Sequence, residues 1–255
     1  MSDAERESAL GYVLARRPQG EREHFVDLLL EDGSLREGVS RGGTSASARM
    51  VGSLQPFVRY RFVFGRTGRG GVRRILEASA ERAHAGLLAT LHRSAAAGVA
   101  GAFAREVGVG YSEDRGPYER YAGLLAALEG ADAASAGGLL VRFVFEAYEV
   151  AGHPLVLDAC VRCGKTAPEN ALVRVSSGEG GTVCGACGHG ALALSSAGRR
   201  ALRRVCAGED AAFVAAMLPW LARALGAQTP RGARVLRSAA AHWGVAAVAT
   251  AKNPA

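Results

Sequence analysis

Long apolar runs are missing from this sequence of 255 residues. Its apolar stretches, such as residues 94–104, are rich in Ala and Gly and fall short of the about 20 residues that a membrane helix needs. The N-terminus, MSDAERESAL, is acidic and has no apolar core of a signal peptide. The sequence therefore predicts no membrane association and a cytoplasmic location.

Lysine is nearly absent, because only Lys165 and Lys252 contribute to the 31 basic residues. A GC-rich coding bias explains why the basic residues are arginines, but it does not explain where they lie. Residues 36–74 and 159–255 each carry a net charge of +8, whereas residues 1–35 and 75–158 are net acidic. Segregated basic charge is typical of proteins that bind polyanions, most often nucleic acids. The alternative is a scaffold whose basic blocks bind acidic protein tails.

Motifs of catalysis are also missing. The sequence has no hydrolase serine elbow, no HExxH motif and no paired-carboxylate motif, and Asp and Glu are sparse in both basic blocks. Residues 164–166 read Gly-Lys-Thr like the end of a P-loop, but the required earlier glycine is replaced by Ala159. The sequence therefore predicts a binding protein that is not an enzyme.

The N-terminal residues 10–78 have the pattern of a small all-β unit. Residues 57–64 alternate, with Tyr60, Phe62 and Phe64 on one face of a strand that we expect to face the core. Five strands in about 70 residues suit an oligonucleotide-binding (OB) barrel. A small sandwich or a Src-homology-like barrel fits nearly as well.

From Ser79 onward the spacing of apolar residues becomes helical. We expect helices over 79–97, 117–129 and 138–151, and two more over 192–206 and 211–225. The predicted class is α+β. The predicted segments are 1–78 for the β-unit, 79–158 for a helical domain, 159–190 for an inserted module that contains four cysteines, 191–244 for C-terminal helices that complete the helical domain, and 245–255 for a tail.

Two CxxC pairs carry the most specific signal. Cys160 and Cys163 are followed after a 20-residue interval by Cys184 and Cys187. Two such knuckles suit tetrahedral Zn²⁺, with one structural ion per chain because four thiolates leave no open position. The alternative is an unmetallated or redox pair. We expect His189 to be a bystander and the fifth thiol, Cys206, to be buried.

Arginines supply the predicted nucleic-acid contacts. The loop Gly65–Gly71 is glycine-rich and cationic, which favours a phosphate clamp at the barrel mouth over a merely solvated hairpin loop. Phe57 shares a face with arginines and could stack on bases. The full predicted set is Arg16, Arg17, Arg41, Arg49, Arg59, Arg61, Arg66, Arg69, Arg73, Arg74, Arg199, Arg200, Arg203 and Arg204.

Several local strings resemble the RecO family of bacterial recombination mediators. They are GYVL at 11–14 with RRPQGE at 16–21, GSLQPF at 52–57, GHPLVLDACVRCG at 152–164 and LSSAGRRALRR at 194–204. The resemblance covers roughly residues 10–240. The sequence departs from the family between Arg41 and Arg49, where a loop usually rich in Lys and Arg reads GGTSASA.

The resemblance implies an OB-fold, a helical domain and a zinc module. It further implies binding to single- and double-stranded DNA with little sequence preference, annealing of complementary strands, and no nucleotide hydrolysis. The implied partners are RecR and single-strand-binding protein, with RecA loaded indirectly, in a cytoplasmic, nucleoid-associated protein. An RNA- or ribosome-associated module with a barrel and a zinc ribbon is the rival interpretation.

Overall fold

A computed structural model describes residues 7–19, 23–41, 54–67, 72–107, 115–188, 192–209 and 214–242. The chain forms two compact units, each described by itself. The N-terminal unit comprises Met1–Ala89 and Gly108–Glu129, and the C-terminal unit comprises Thr90–Val107 and Gly130–Ala255. The five predicted segments are a finer division, and their boundaries stay a prediction.

Five strands of the N-terminal unit close into a barrel. They are β1 (Glu7–Gln19), β2 (Glu23–Leu30), β3 (Leu35–Arg41), β4 (Val58–Thr67) and β5 (Arg73–Ala83). Their order in the barrel is β1-β2-β3-β5-β4, with β3 parallel to β5 and β1 antiparallel to β4. This closed five-stranded arrangement confirms the predicted OB-like barrel and excludes the open sandwich.

The barrel core contains one face of β4, on which every second residue is aromatic. Tyr60, Phe62 and Phe64 are buried as predicted, with successive ring centroids 5.6 and 5.9 Å apart. Arg59 and Arg61 point away from this side because successive residues of a strand face opposite ways. The core therefore contains the aromatic residues, and the arginines of the same strand lie outside it.

Two sequence predictions around the barrel are wrong. The pattern places Arg16 and Arg17 in the first loop between strands, but they lie in β1 and pair with Val26 and Phe25. The helix expected from residue 79 begins as strand, because β5 continues to Ala83 opposite the start of β4. Pairing with a long strand overrides the helical preference of this Ala- and Glu-rich segment.

One helix of the N-terminal unit packs on the barrel. It spans Gly116–Leu128 and is called α2, since it follows α1 (Leu91–Val107) of the other unit. The rings of Tyr118 and Tyr121 on α2 each lie 5.5 Å from the ring of Tyr12 on β1. α2 is therefore anchored to the barrel by aromatic contacts.

A buried histidine adds polar contacts at the same place. His84 lies between β5 and a short 3-10 helix at Ala85–Ala89. Its ring nitrogens are 3.3 Å from the Tyr12 hydroxyl and 3.3 Å from the Glu129 carboxylate. Burial lowers the pKa of His84. The histidine thus connects β1 to the residue that follows α2.

The described part of the C-terminal unit consists of five α-helices and a small sheet. Its helices are α1, α3 (Ala133–Val150), α4 (Ser196–Cys206), α5 (Leu218–Ala224) and α6 (Pro230–His242). Its strands are β6 (Val156–Cys160), β7 (Val173–Ser176), β8 (Gly181–Thr182) and β9 (Leu192–Leu194), in the sheet order β6-β8-β7-β9. Asp132 caps α3, and Ser195 caps α4 by accepting a hydrogen bond from the Gly198 amide at 3.1 Å.

The core of the C-terminal unit is helical. α3 buries Leu140, Phe143 and Val144, which belong to the apolar stripe predicted for this segment. Tyr148 of the same helix packs against Phe103 of α1, with ring centroids 5.5 Å apart, and donates a hydrogen bond to the Leu225 carbonyl. Within the described ranges, no helix combines the length and hydropathy needed to cross a membrane.

Candidate metal centre and arginine surfaces

The four cysteines of the two CxxC pairs meet at one point beside the small sheet. Their Sγ atoms all lie within 4.8 Å of one another, and those of Cys163 and Cys184 are 3.6 Å apart. Cys160 is the last residue of β6 and is buried, whereas Cys163 is exposed. The geometry therefore provides four convergent sulfur ligands from two turns that are distant in sequence.

Both turns have the backbone that a metal knuckle requires. Gly164 has a φ of +72° and donates its amide to the Cys160 carbonyl at 2.9 Å. Gly188 has a φ of +136° and donates to the Cys184 carbonyl at 3.2 Å. A side chain at either position would be strained by the positive φ. The two glycines thus allow the tight backbone of the two turns.

Backbone amides also prepare the Cys160 thiol for metal binding. The Cys184 amide lies 3.4 Å from the Cys160 sulfur, and together with the Cys163 amide it lowers the pKa of Cys160 to about 6. A lowered pKa favours the thiolate, which is the form that binds metals. The residues fit a tetrahedral metal with sulfur bonds of about 2.3 Å, whose ligands are about 3.8 Å apart. The cluster could therefore hold a metal ion.

Among the described residues, the fifth cysteine does not join the cluster. Cys206 lies at the end of α4 and is exposed, so the expectation that it is buried is wrong. The apolar stripe of α4 is satisfied by Leu202 and Val205, which leaves Cys206 on the outer side. His189 lies outside the described residues.

Arginines of α4 contact residues 158–170, which contain the first CxxC turn and are called the first-knuckle segment. Arg199 is 0% exposed and donates to the backbone carbonyls of Pro168 and Glu169, the second at 2.8 Å. Arg203 donates to the Asp158 carboxylate from Nε at 2.8 Å and from Nη2. The predicted surface role of Arg199 is therefore corrected, because a buried guanidinium bonded to carbonyls is not available to phosphates.

The other two arginines of α4 remain on the surface. Arg200 donates to the Asn170 side chain at 3.3 Å, again in the first-knuckle segment. Arg204 forms an ion pair with Glu209 at 2.7 Å and is 60% exposed. Their contacts with DNA, and that of Arg203, stay predictions.

Most described barrel arginines have acidic neighbours. Arg17 donates to Asp27 at 2.9 Å and to Glu37 at 2.6 Å. Arg61 pairs with Glu81 at 2.8 Å. Two more of the barrel arginines predicted to contact nucleic acid form ion pairs. Arg73 pairs with Glu7, and Arg74 pairs with Glu23 at 3.6 Å.

Two arginines of the barrel differ from this pattern. Arg16 lies 3.0 Å from a His24 ring nitrogen, and the buried Nε atoms of Arg16 and Arg59 have no hydrogen-bond partner among the described residues.

Arg41 ends β3 and Arg66 lies in β4, but their side chains fall outside the described residues. Arg49 and Arg69 lie outside them altogether. The phosphate clamp at Gly65–Gly71 therefore stays a prediction.

Comparison with known proteins decides the family. Residues 88–226 match the family model described as "Recombination protein O C terminal", which is more than half of the chain. The chain belongs to the RecO family. The DNA repair protein RecO of Anaeromyxobacter sp. (strain Fw109-5) is 32% identical over 222 residues, which cover 84% of each chain. That of Anaeromyxobacter dehalogenans (strain 2CP-C) is 33% identical over 182 residues, 71% of this chain and 70% of the relative. Membership supports a role in DNA repair and recombination.

The segment that matches the family model, residues 88–226, contains the four-cysteine cluster and α4, but it ends before α6. α6 carries a row of three exposed arginines, Arg231, Arg234 and Arg237, that was not among the predicted contacts. A sequence signal was present, because no acidic residue follows Asp210. The row was missed because its arginines are three residues apart, whereas those of α4 form two adjacent pairs.

Proposed function

We propose that this RecO family member is a non-enzymatic recombination mediator. It binds single- and double-stranded DNA, anneals complementary single strands and helps load the recombinase RecA onto DNA coated with single-strand-binding protein. RecR and single-strand-binding protein are its proposed partners, and its proposed location is the cytoplasm, in association with the nucleoid. The family match, together with the OB-like barrel, is the observation that carries this proposal.

Arginine chemistry supports the DNA part of the proposal. Arginines neutralise phosphates and release counterions, which gives affinity that falls with salt and depends little on sequence. We assign these contacts on the barrel to the predicted arginines there, including Arg41, Arg49, Arg66 and Arg69. A protein with basic surfaces on each of two units can hold two strands and reduce their mutual repulsion. That is a physical route to annealing.

The metal in the four-cysteine cluster is proposed to be Zn²⁺ with a structural role. Four thiolates saturate a tetrahedral ion, so that no position is left for water or substrate. Cys160, Cys163, Cys184 and Cys187 would hold it, and the ion would join the two knuckles of the small sheet. Mass spectrometry of the native protein should find one zinc per chain, and Cys160→Ser should lose it.

Annealing of complementary oligonucleotides coated with single-strand-binding protein, without ATP and over a salt titration, tests the function. Acceleration that fades with salt is expected. Binding without annealing would reduce the proposal to a generic nucleic-acid module. A preference for structured RNA, or binding to acidic peptides only, would overturn it.

A variant pair tests the proposed loop contacts. Arg66→Glu combined with Arg69→Glu should weaken DNA binding at low salt. The control is Arg174→Glu combined with Arg223→Glu, which changes the net charge equally at exposed residues outside the predicted set. Equal affinities for the two variants would remove the loop from the interface.

A further inference from the structure

α6 presents positive charge that no other part of the described structure neutralises. Arg231, Arg234 and Arg237 are exposed on one side of the helix, and among the described residues none of them has an ion pair or a side-chain hydrogen bond. The row extends over about 9 Å at 1.5 Å per residue. This differs from the barrel and α4, where most described arginines face a carboxylate or a carbonyl.

The row is unfavourable for the helix itself. Like charges three residues apart on a helix repel each other and destabilise it. Arg231 is in the first turn, where the helix dipole favours negative charge, and this turn contains no acidic residue. No described contact compensates these costs, which points to a binding partner outside the chain.

An apolar groove lies directly beside the row, between α1 and α6. Its volume is about 440 Å³, and it is lined by small side chains of α1 and by one side of α6. Arg234 belongs both to the row and to the rim of the groove, so that charge and apolar surface are continuous. The lining residues are Ala95, Gly98, Val99, Ala102, Arg234, Val235, Ser238 and Ala239.

We propose that α6 and this groove form a binding surface for single-stranded DNA. The three arginines contact successive phosphates, and unpaired bases pack against the apolar floor of the groove. A single strand is the occupant that fits, because it combines a polyanionic backbone with exposed apolar base faces, which a duplex hides within its stack. This inference rests on the proposed DNA-binding function and adds a surface outside the barrel.

Neutralising the row tests the charge contribution. In Arg231→Gln/Arg234→Gln/Arg237→Gln, affinity for oligothymidine should fall at least tenfold at low salt. The slope of log affinity against log salt should fall by about 2, because each lost single-strand phosphate contact contributes about 0.7. Glutamine has nearly the helix propensity of arginine, so circular dichroism should be unchanged. The matched control, lysine at the same three positions, should keep both affinity and slope.

Filling the groove tests the apolar contribution. Gly98→Leu places a side chain in the groove and improves helix propensity, so the fold should be kept. It should weaken binding to oligothymidine severalfold and leave binding to duplex DNA unchanged.

The outcomes separate this inference from the function on which it rests. If the native protein bound no DNA, the proposed function itself would fail. If it bound DNA and the glutamine variant bound equally well with the same salt slope, only the α6 surface would be refuted. Loss of binding to an acidic peptide, with oligothymidine binding unchanged, would also overturn the inference.

Discussion

Two arginine-rich helices of the same unit use their arginines in opposite ways. α4 spans 11 residues and directs Arg199, Arg200 and Arg203 to the first-knuckle segment. α6 spans 13 residues, and its row of arginines has no partner among the described residues. Both helices are basic in sequence, yet α4 uses its arginines to hold the metal module. The groups within reach of its side chain, rather than its own charge, decide whether an arginine is occupied by contacts within the protein.

Burial explains why the Arg199 contacts are structural. A guanidinium removed from water loses its hydration, and two hydrogen bonds to carbonyls return part of that loss. In Arg199, the Nε and Nη1 atoms are buried without a partner in the described structure, so the compensation is incomplete. Such a residue is costly to place and costly to remove, because its deletion leaves two carbonyls without a donor.

Loss of the proposed metal should have the largest effect, and it should affect α4 but not α6. Structural zinc contributes about 10–16 kcal/mol to the folding of small zinc peptides. Cys160→Ser or a strong chelator should therefore unfold the knuckles and deprive α4 of its contacts, while α6 keeps its row. Hydrogen exchange should rise sharply in residues 158–188 and in α4. Cys206→Ser is the control, since this exposed thiol lies outside the cluster. Unchanged exchange after metal loss would separate α4 from the metal module.

Arg199→Ala should have the next largest effect. It removes the fully buried guanidinium that donates to the Pro168 and Glu169 carbonyls, and hydrogen bonds made by a charged group contribute about 1.5–3 kcal/mol each. We expect the free energy of unfolding to fall by about 2–4 kcal/mol in urea titrations. Arg204→Ala, which removes an exposed ion pair on the same helix, should cost less than about 1 kcal/mol. Equal losses would contradict the structural role of Arg199.

Variants of α6 and α4 should also differ in their affinity for DNA, and the change in free energy should be smaller than for Arg199→Ala. A tenfold loss of oligothymidine affinity for the α6 glutamine variant corresponds to about 1.4 kcal/mol. Arg200→Gln combined with Arg204→Gln on α4 should change the affinity less than twofold, because these arginines already have protein partners. A larger effect from α4 would restore the sequence-based interpretation, in which α4 extends the DNA surface.

The exposed pair between Arg203 and Asp158 should have the smallest effect. Exposed ion pairs contribute about 0–1 kcal/mol, and this pair is screened by solvent. Asp158→Asn should shift the urea midpoint only slightly and should leave the zinc content unchanged. A loss of metal in this variant would show that the pair positions β6 for the metal.

The barrel and the metal cluster were predictable because their signals are local. Alternation over residues 57–64 and the two CxxC spacings each specify a geometry without reference to the rest of the chain. The end of β5 at Ala83 was not predictable, since its Ala- and Glu-rich sequence favours helix and only pairing with β4 makes it strand. The family was suggested by short strings around the knuckle and confirmed by the matched relatives.

The arginine contacts were less predictable, because they depend on distant residues. Arg199 meets carbonyls about 30 positions away in sequence, and Arg17 meets Glu37 across two strands of the barrel. A count of charges along the chain cannot reveal such partners. It locates the basic C-terminal block, but it does not show which arginines of that block already have partners within the protein.

Hydrogen exchange of the native protein with and without oligothymidine tests the central claim most directly. Peptides from α4 and α6 are compared in the same experiment, so each helix serves as the reference for the other. The account predicts that DNA slows exchange in α6 and along the groove side of α1, while α4 exchanges at the same rate. Protection of α4 without protection of α6 would contradict it.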